Sequence, residues 1–473
     1  PPSAAKVDPE HETAALFETI KASPPQMAAF LRAMPKGGDL HNHLTGAIYA
    51  ESYIDWAVQD GLCVDATKLE ILWCDDTEKL CKGDEPASST CHIPDQVVLV
   101  SEAIANHTFY DRLIDGLSTR NYEIYDRSGH DQFFATFSAF HDAGHDRGSD
   151  MLVEVMRRAA DQNILYLELM TSPGMSEARK LAADMASSDD LASMRSQFSD
   201  ADLDQIIGLV ENGLTEMEQA ARKTMACDTA AAEPACDVTV RYLAQVIRVF
   251  PAPEVFSQVV YGMRLAQADN RVVGINLVAP EDDPVTLADY TKQMQAIGFA
   301  GAEMPDVGIA LHAGELTLGL VPPKDLRFHI RQAVEIAGAD RIGHGVDLMY
   351  EDDPYQLLAL LAERDVMIEI NLTSNAVILN VEGDRHPFPI YLGALVPTAL
   401  STDDEGVSRI DLTHEYLIAV ETYDLSYQTI IKQLSYNSLI YAFAENRETL
   451  LAELDAHFAA FEAGIEAQIQ GMH

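Results

Sequence analysis

Short apolar runs alternate with stretches of helical periodicity along most of this chain. The runs fall at about residues 35–44, 164–170, 238–248, 272–277, 307–312, 341–344, 367–372 and 395–401. Each has the length of a buried strand. Between and after them, residues 47–59, 97–117, 149–161, 253–268, 326–337, 354–363 and 412–422 carry apolar side chains at helical spacing, as does the tail, 427–468. About eight strands alternating with helices predict a parallel sheet. Polar residues of chemical interest close several of the runs, which favours a (β/α)₈ TIM-type barrel over a doubly wound sheet.

Three stretches depart from the alternation. Residues 1–34 read as an N-terminal helical arm broken at Pro24-Pro25. From 61 to 94 the periodicity fails and Cys, Asp, Lys, Gly and Ser dominate, which marks an excursion from the scaffold. Residues 176–232 form a long acidic helical insertion. The expected organisation is therefore the arm, 1–34, followed by a single barrel over 35–473 carrying both insertions. Residues 129–137, GHDQFFATF, are dense in aromatics and read equally as core or as the wall of a substrate pocket.

Composition narrows the partners. The net charge of -43, from 75 acidic against 32 basic residues, repels nucleic acid and anionic membrane surfaces. No apolar run approaches the ~20 residues of a membrane span. Four of the six cysteines (Cys63, Cys74, Cys81 and Cys91) share one polar stretch, and Cys227 and Cys236 form a spaced pair. None makes a C-x-x-C pair, so disulfides in an oxidising compartment are expected, with six free thiols in a cytosolic protein as the alternative. The start at Pro1-Pro2-Ser3 fits a processed, exported protein or a trimmed chain.

The chemistry begins at Asp39-Leu40-His41-Asn42-His43. Side chains two apart on a strand share a face, so His41 and His43 point the same way. Two imidazoles at a strand end can grip one metal ion, given further ligands. His312, in His-Ala-Gly-Glu, and Asp403, in Ser-Thr-Asp-Asp, each follow an apolar run and would complete a site for zinc, which takes imidazole and carboxylate and keeps a position open. Asp403 and Asp404 are adjacent carboxylates beside an apolar strand, costly unless something positive lies near them. Glu315 falls three residues after His312, within reach of a substrate held above the metal. His344, between Gly343 and Gly345, is placed to take a proton from a metal-bound water.

The ordered set His-x-His, His-Ala-Gly-Glu, Gly-His-Gly and Ser-Thr-Asp-Asp resembles the adenosine deaminase family of metal-dependent amidohydrolases, from about residue 35 to 404. The run 400–409, LSTDDEGVSR, and the cysteine-bearing insertion look like its exported bacterial branch, with a periplasmic or extracellular location and a cytoplasmic one as the alternative. The compact relatives usually carry Pro where this chain has Glu405. The resemblance implies one Zn²⁺ per chain on His41, His43, His312 and Asp403, with the pKa of its bound water lowered towards 7. It implies that His344 and Asp403 orient and deprotonate that water for attack on C6 of a purine nucleoside. Glu315, protonated, would donate to N1, Asp404 would bind N7, and the Gly274 backbone would bind N3. Inosine and ammonia leave. A homodimer is compatible with the family.

Thr45 departs from the pattern. Relatives that bind free adenosine commonly carry Asp there, two residues after the second histidine, to hold the ribose 5′-hydroxyl. Threonine leaves room for AMP or 5′-modified nucleosides as alternative substrates. A dinuclear amidohydrolase would need a bridging lysine on the fourth strand, and residues 272–277 contain none. A secreted, non-catalytic nucleoside-binding or signalling protein would have no use for Glu315 and His344.

Overall fold

The structure, a computed structural model, describes residues 8–75, 96–188 and 190–471. Eight parallel strands form its centre: β1 (Gly37–His43), β2 (Ile164–Thr171), β3 (Thr239–Ile247), β4 (Val272–Val278), β5 (Gly308–Ala313), β6 (Arg341–His344), β7 (Met367–Ile370) and β8 (Thr398–Leu400). They lie side by side in chain order. The ring closes through a parallel bridge between Asn42 and Asp403, with Asp403 N–H donating to His41 O at 2.8 Å and His43 N–H to Asp403 O at 2.9 Å. The chain is a (β/α)₈ barrel, as the alternation predicts. The seam that closes it is also where three of the expected metal ligands meet.

The apolar runs become strands because both faces of each are covered, one by the barrel interior and one by the surrounding helices. Leu40, Tyr166, Leu169, Tyr242, Ile275, Leu311, Ile342, Ile368 and Leu400 are all essentially inaccessible. The N-terminal residues fold as two helices, α1 (Pro9–Ile20) and α2 (Pro24–Ala33). Pro24 sits in the first turn of α2, where its missing N–H costs nothing. Phe17 of α1 and Phe30 of α2 pack edge-on at 5.6 Å, and Phe30 meets Phe461 of the C-terminal helix at 5.2 Å. This aromatic cluster docks the arm onto the barrel.

The helix expected over 97–117 begins instead with a short strand, Val97–Leu99. It pairs antiparallel with Cys63–Asp65, which also pairs with Glu70–Leu72. Only then come the helices Val100–Ala103 and His107–Gly116. Valine and leucine serve either structure, and tertiary pairing decided. Disulfides join Cys63 to Cys74 and Cys227 to Cys236; Cys81 and Cys91 lie outside the described residues. The acidic insertion contains the 25-residue helix Asp200–Thr224, capped by Ser199. Glu405 is buried and paired with Arg158 at 2.7 Å, which accounts for a carboxylate at that position.

Candidate active site

The strands deliver their polar termini to one end of the barrel. His41 and His43 come from the end of β1, His312 from β5, His344 from the last position of β6, and Asp403 from just beyond β8. All are buried. His344 (φ +71°) and Asp403 (φ +60°) both adopt the left-handed backbone region, which costs a non-glycine residue ~1–2 kcal/mol. The turn each one makes there aims its side chain into the barrel mouth. Gly343 has a direct reason to lack a side chain: a Cβ there would lie 2.6 Å from His41 Cε1.

The donor atoms converge. His43 Nε2 lies 3.1 Å from Asp403 Oδ1 and 3.3 Å from His312 Nε2. His41 Nε2 lies 3.3 Å from Asp403 Oδ1 and 3.1 Å from His312 Nε2. Ligands bound at 2.0–2.1 Å around a tetrahedral ion are about 3.3–3.4 Å apart, and these four separations are close to that edge length. His344 belongs to the same cluster, within 4.8 Å of the donors of His41, His312 and Asp403. Its Nε2 makes no hydrogen bond and lies 3.8 Å from Glu315 Oε1. His41, His43, His312 and Asp403 are the set that could hold a metal ion, with His344 beside them.

Each ligand is held from behind by residues that the sequence motifs did not single out. His41 Nδ1–H donates to Glu369 Oε2 at 2.6 Å, and Glu369 is paired in turn with buried Arg341 at 2.7 Å, which also reaches Glu168. His312 Nδ1–H donates to Asn276 Oδ1 at 2.6 Å. The Gln245 amide meets His43 Nδ1, and Ser374 Oγ donates to Asp403 Oδ2 at 2.6 Å. Such partners fix which ring nitrogen faces the metal.

Charge follows from these contacts. Burial alone would depress the His41 imidazolium, but hydrogen bonds to Asp403 and Glu369 carry it up to about 10. Burial dominates at His312, helped by the positive His41, and drives its pKa well down; burial likewise takes His344 down to about 3. Asp403 resists its burial through the His41 and His43 hydrogen bonds and stays ionised. The opposite holds for two neighbours. Burial and then the Asp403 charge push Glu315 up to about 8 and push Asp404 well above the carboxylate range. Both are therefore protonated donors at neutral pH. Glu281 sets the turn that carries Glu315, accepting from Gly314 N–H at 3.1 Å and Glu315 N–H at 2.8 Å.

A cavity of about 400 Å³ opens above these groups, within the range of small-molecule sites. Its floor holds His43, His312, Glu315, Asp403 and Asp404, with Thr45 also in the lining. One wall is aromatic, formed by Phe133, Phe134 and Phe137 of the helix Gly129–Phe140, so the stretch read as core or pocket wall serves as both. A larger depression of about 930 Å³ lies at the opposite barrel end, beside Arg341 and Arg364, away from the ligand atoms.

Gly274 requires a correction. It sits low on β4, where a Cβ would lie 2.5 Å from Gly308 O, so it is a close-packing position between strands. The cavity is lined from that strand by Val278, Ala279 and Pro280, roughly 16 Å further along at ~3.3 Å per residue. Ala279 adopts φ +82°, and its carbonyl is held by Arg248 Nε at 2.8 Å. A glycine attracts attention in sequence because of its freedom; here the left-handed turn at the pocket is made by alanine.

A family model described as adenosine deaminase matches residues 113–457. The match covers Glu315, His344 and Asp403 but starts after His41 and His43. An adenosine deaminase of Klebsiella pneumoniae is 32% identical over 234 residues, 44% of this chain and 66% of that protein. Across the curated relatives it matches first, the chain spans 42% to 66% of their length. Two solved structures share the fold. Arabidopsis ADAL complexed with IMP has a TM-score of 0.57 at 22% identity, covering 91% of this chain and 99% of that one. A Burkholderia ambifaria amidohydrolase with bound zinc has 0.54 at 17%, covering 93% and 94%. With the family model matching most of the barrel and the donor cluster at its mouth, the chain belongs to the adenosine deaminase family of the amidohydrolase superfamily.

Proposed function

We propose that the protein is a zinc-dependent hydrolase that converts adenosine and 2′-deoxyadenosine to inosine and 2′-deoxyinosine with release of ammonia. The observation that carries this reading is the placement of two buried carboxyls, Glu315 and Asp404, in the cavity lining beside the donor set, where burial and the Asp403 charge raise both pKa values. N1 and N7 of an adenine ring are both acceptors, and a site that binds its edge needs two donors. Ionised carboxylates would repel those nitrogens; these two donate. The aromatic wall suits a flat base.

Zinc fits the three imidazoles and one carboxylate with an open position, and when bound it lowers the pKa of water towards 7. Asp403 accepts the proton of the attacking water as its oxygen adds to C6. Glu315 gives its proton to N1, so the ring accepts the electron pair. The proton on Asp403 then passes to the amino group, the C6–N bond breaks, and ammonia leaves. The remaining hydroxyl proton restores Glu315 as the 6-oxo product forms.

The lining of the cavity supports a nucleoside over a nucleotide. Among the described residues it holds no Arg or Lys: Asp403 is its ionised member, Glu315 and Asp404 are protonated, and the remainder is aromatic, aliphatic or neutral polar apart from two histidines. Such a lining disfavours a phosphate dianion. Thr45, exposed at the mouth, accommodates 5′-altered nucleosides. The two disulfides among the described residues support an oxidising compartment. The test is an absorbance assay with adenosine, 2′-deoxyadenosine, 5′-methylthioadenosine and AMP. Adenosine and deoxyadenosine should give the highest kcat/KM. A preference for AMP would overturn the nucleoside assignment, and no turnover with any of them would overturn the deaminase reading.

A further inference from the structure

His344 hangs from a hydrogen-bonded chain that no motif includes. The backbone N–H of Phe388 donates to His386 Nδ1 at 3.1 Å. His386 Nε2 lies 3.0 Å from Asn375 Oδ1, and Asn375 Nδ2 lies 2.9 Å from His344 Nδ1. A second amide nitrogen, Asn371 Nδ2, faces the same His344 nitrogen at 3.5 Å. His386 is 2% exposed, and Asn375 and His344 are fully buried.

The direction of this chain is fixed at its far end. A backbone N–H can only donate, so His386 Nδ1 accepts and the neutral ring carries its proton on Nε2. That proton goes to Asn375 Oδ1, which turns the amide nitrogen towards His344. His344 Nδ1 must then accept, and its own proton sits on Nε2, the atom facing Glu315 and the donor cluster. Reversing any one link sets donor against donor, and the backbone amide of Phe388 cannot be reversed at all.

We infer that His386 and Asn375 are positioning residues that lock His344 as the Nε2–H tautomer, so that His344 serves the reaction as a hydrogen-bond donor to the attacking oxygen and not as its base. The ring has no lone pair to offer on the side where the chemistry occurs. Proton acceptance falls to Asp403, whose carboxylate faces the same space. In turnover this role rests on the deaminase reading, but the tautomer itself is independent of the substrate.

The experiment uses the zinc-loaded protein, deuterated and carrying ¹⁵N-histidine, with two-bond ¹H–¹⁵N correlation spectra to locate each ring proton. His386 and His344 should both show the Nε2–H pattern. Asn375→Asp, which replaces the donor with an acceptor, should move the His344 proton to Nδ1 and lower kcat by ~10²-fold, the lower end of acid–base contributions, with zinc content and KM little changed. His386→Gln keeps a donor to Asn375 and should retain the wild-type His344 pattern, whereas His386→Leu should lose it. A wild-type His344 protonated on Nδ1 overturns the inference whatever the variants do, as does an Asn375→Asp spectrum identical to wild type. Failure to deaminate any adenine compound would sink the reaction assignment while leaving the tautomer readable in the same spectra.

Discussion

The rings of the donor cluster are held by two different chemistries. On β1, His41 rests on a carboxylate, Glu369, itself clamped by the fully buried Arg341, which also pairs with Glu168. The other rings, His43 of the same strand together with His312 and His344, rest on amides, from Gln245, Asn276 and Asn375. A carboxylate orients a ring and also stabilises positive charge on it; an amide orients it without charge. Hydrogen bonds to Asp403 and then to Glu369 carry the His41 pKa up to about 10, whereas burial takes His344 down to about 3.

The sharpest way to break this arrangement is to remove a ligand. His41→Ala should abolish metal binding and turnover together, read by metal analysis alongside the absorbance assay. Full turnover in metal-depleted His41→Ala would end the ligand assignment. Next in size is Glu315→Gln, which leaves every ligand in place. It should lower kcat by ~10²–10⁴-fold with metal content unchanged, and a drop below about tenfold would contradict its role as N1 donor. The donor form is protonated, and the pKa is raised to about 8. Activity should therefore hold below that pH and decline as the pH rises through it, a limb the Gln variant should lack.

The contrast itself is tested by a matched pair. Glu369→Gln should weaken metal binding by ~10–100-fold, as outer partners of ligating histidines do. It should also lower stability by roughly 3 kcal/mol, because Arg341 keeps its buried charge and loses one of its partners. Asn276→Ala should weaken the metal by about tenfold with a much smaller change in melting temperature, since no charge is left uncompensated. Chelator competition and thermal melts read both, and equal melting shifts would erase the distinction. The smallest effect concerns the exposed rim. Thr45→Asp should weaken a 5′-phosphorylated substrate by about fivefold, the size of a ~1 kcal/mol repulsion in a watery setting, and leave adenosine almost unaffected.

The sequence by itself determined the barrel and the groups that do the chemistry. Eight apolar runs at the right intervals left few alternatives, and His41, His43, His312, Glu315, His344, Asp403 and Asp404 stood at run ends where a barrel gathers its functional residues. Glu369, Glu168 and Asn276 left a fainter signal, as single polar residues inside otherwise apolar strands, but nothing local says which histidine each would meet. His386 and Asn375 left less still. Gly274 misled because freedom at a glycine can serve packing as readily as ligand contact, whereas the pocket turn fell to Ala279. Tertiary structure alone decided which donor faces which acceptor, because hydrogen-bond partners far apart in the chain are chosen by where closing the barrel places them. A strand's side-chain pattern depends on its neighbours only through burial. The tautomer of a buried ring depends on one atom in another element, and no periodicity records it.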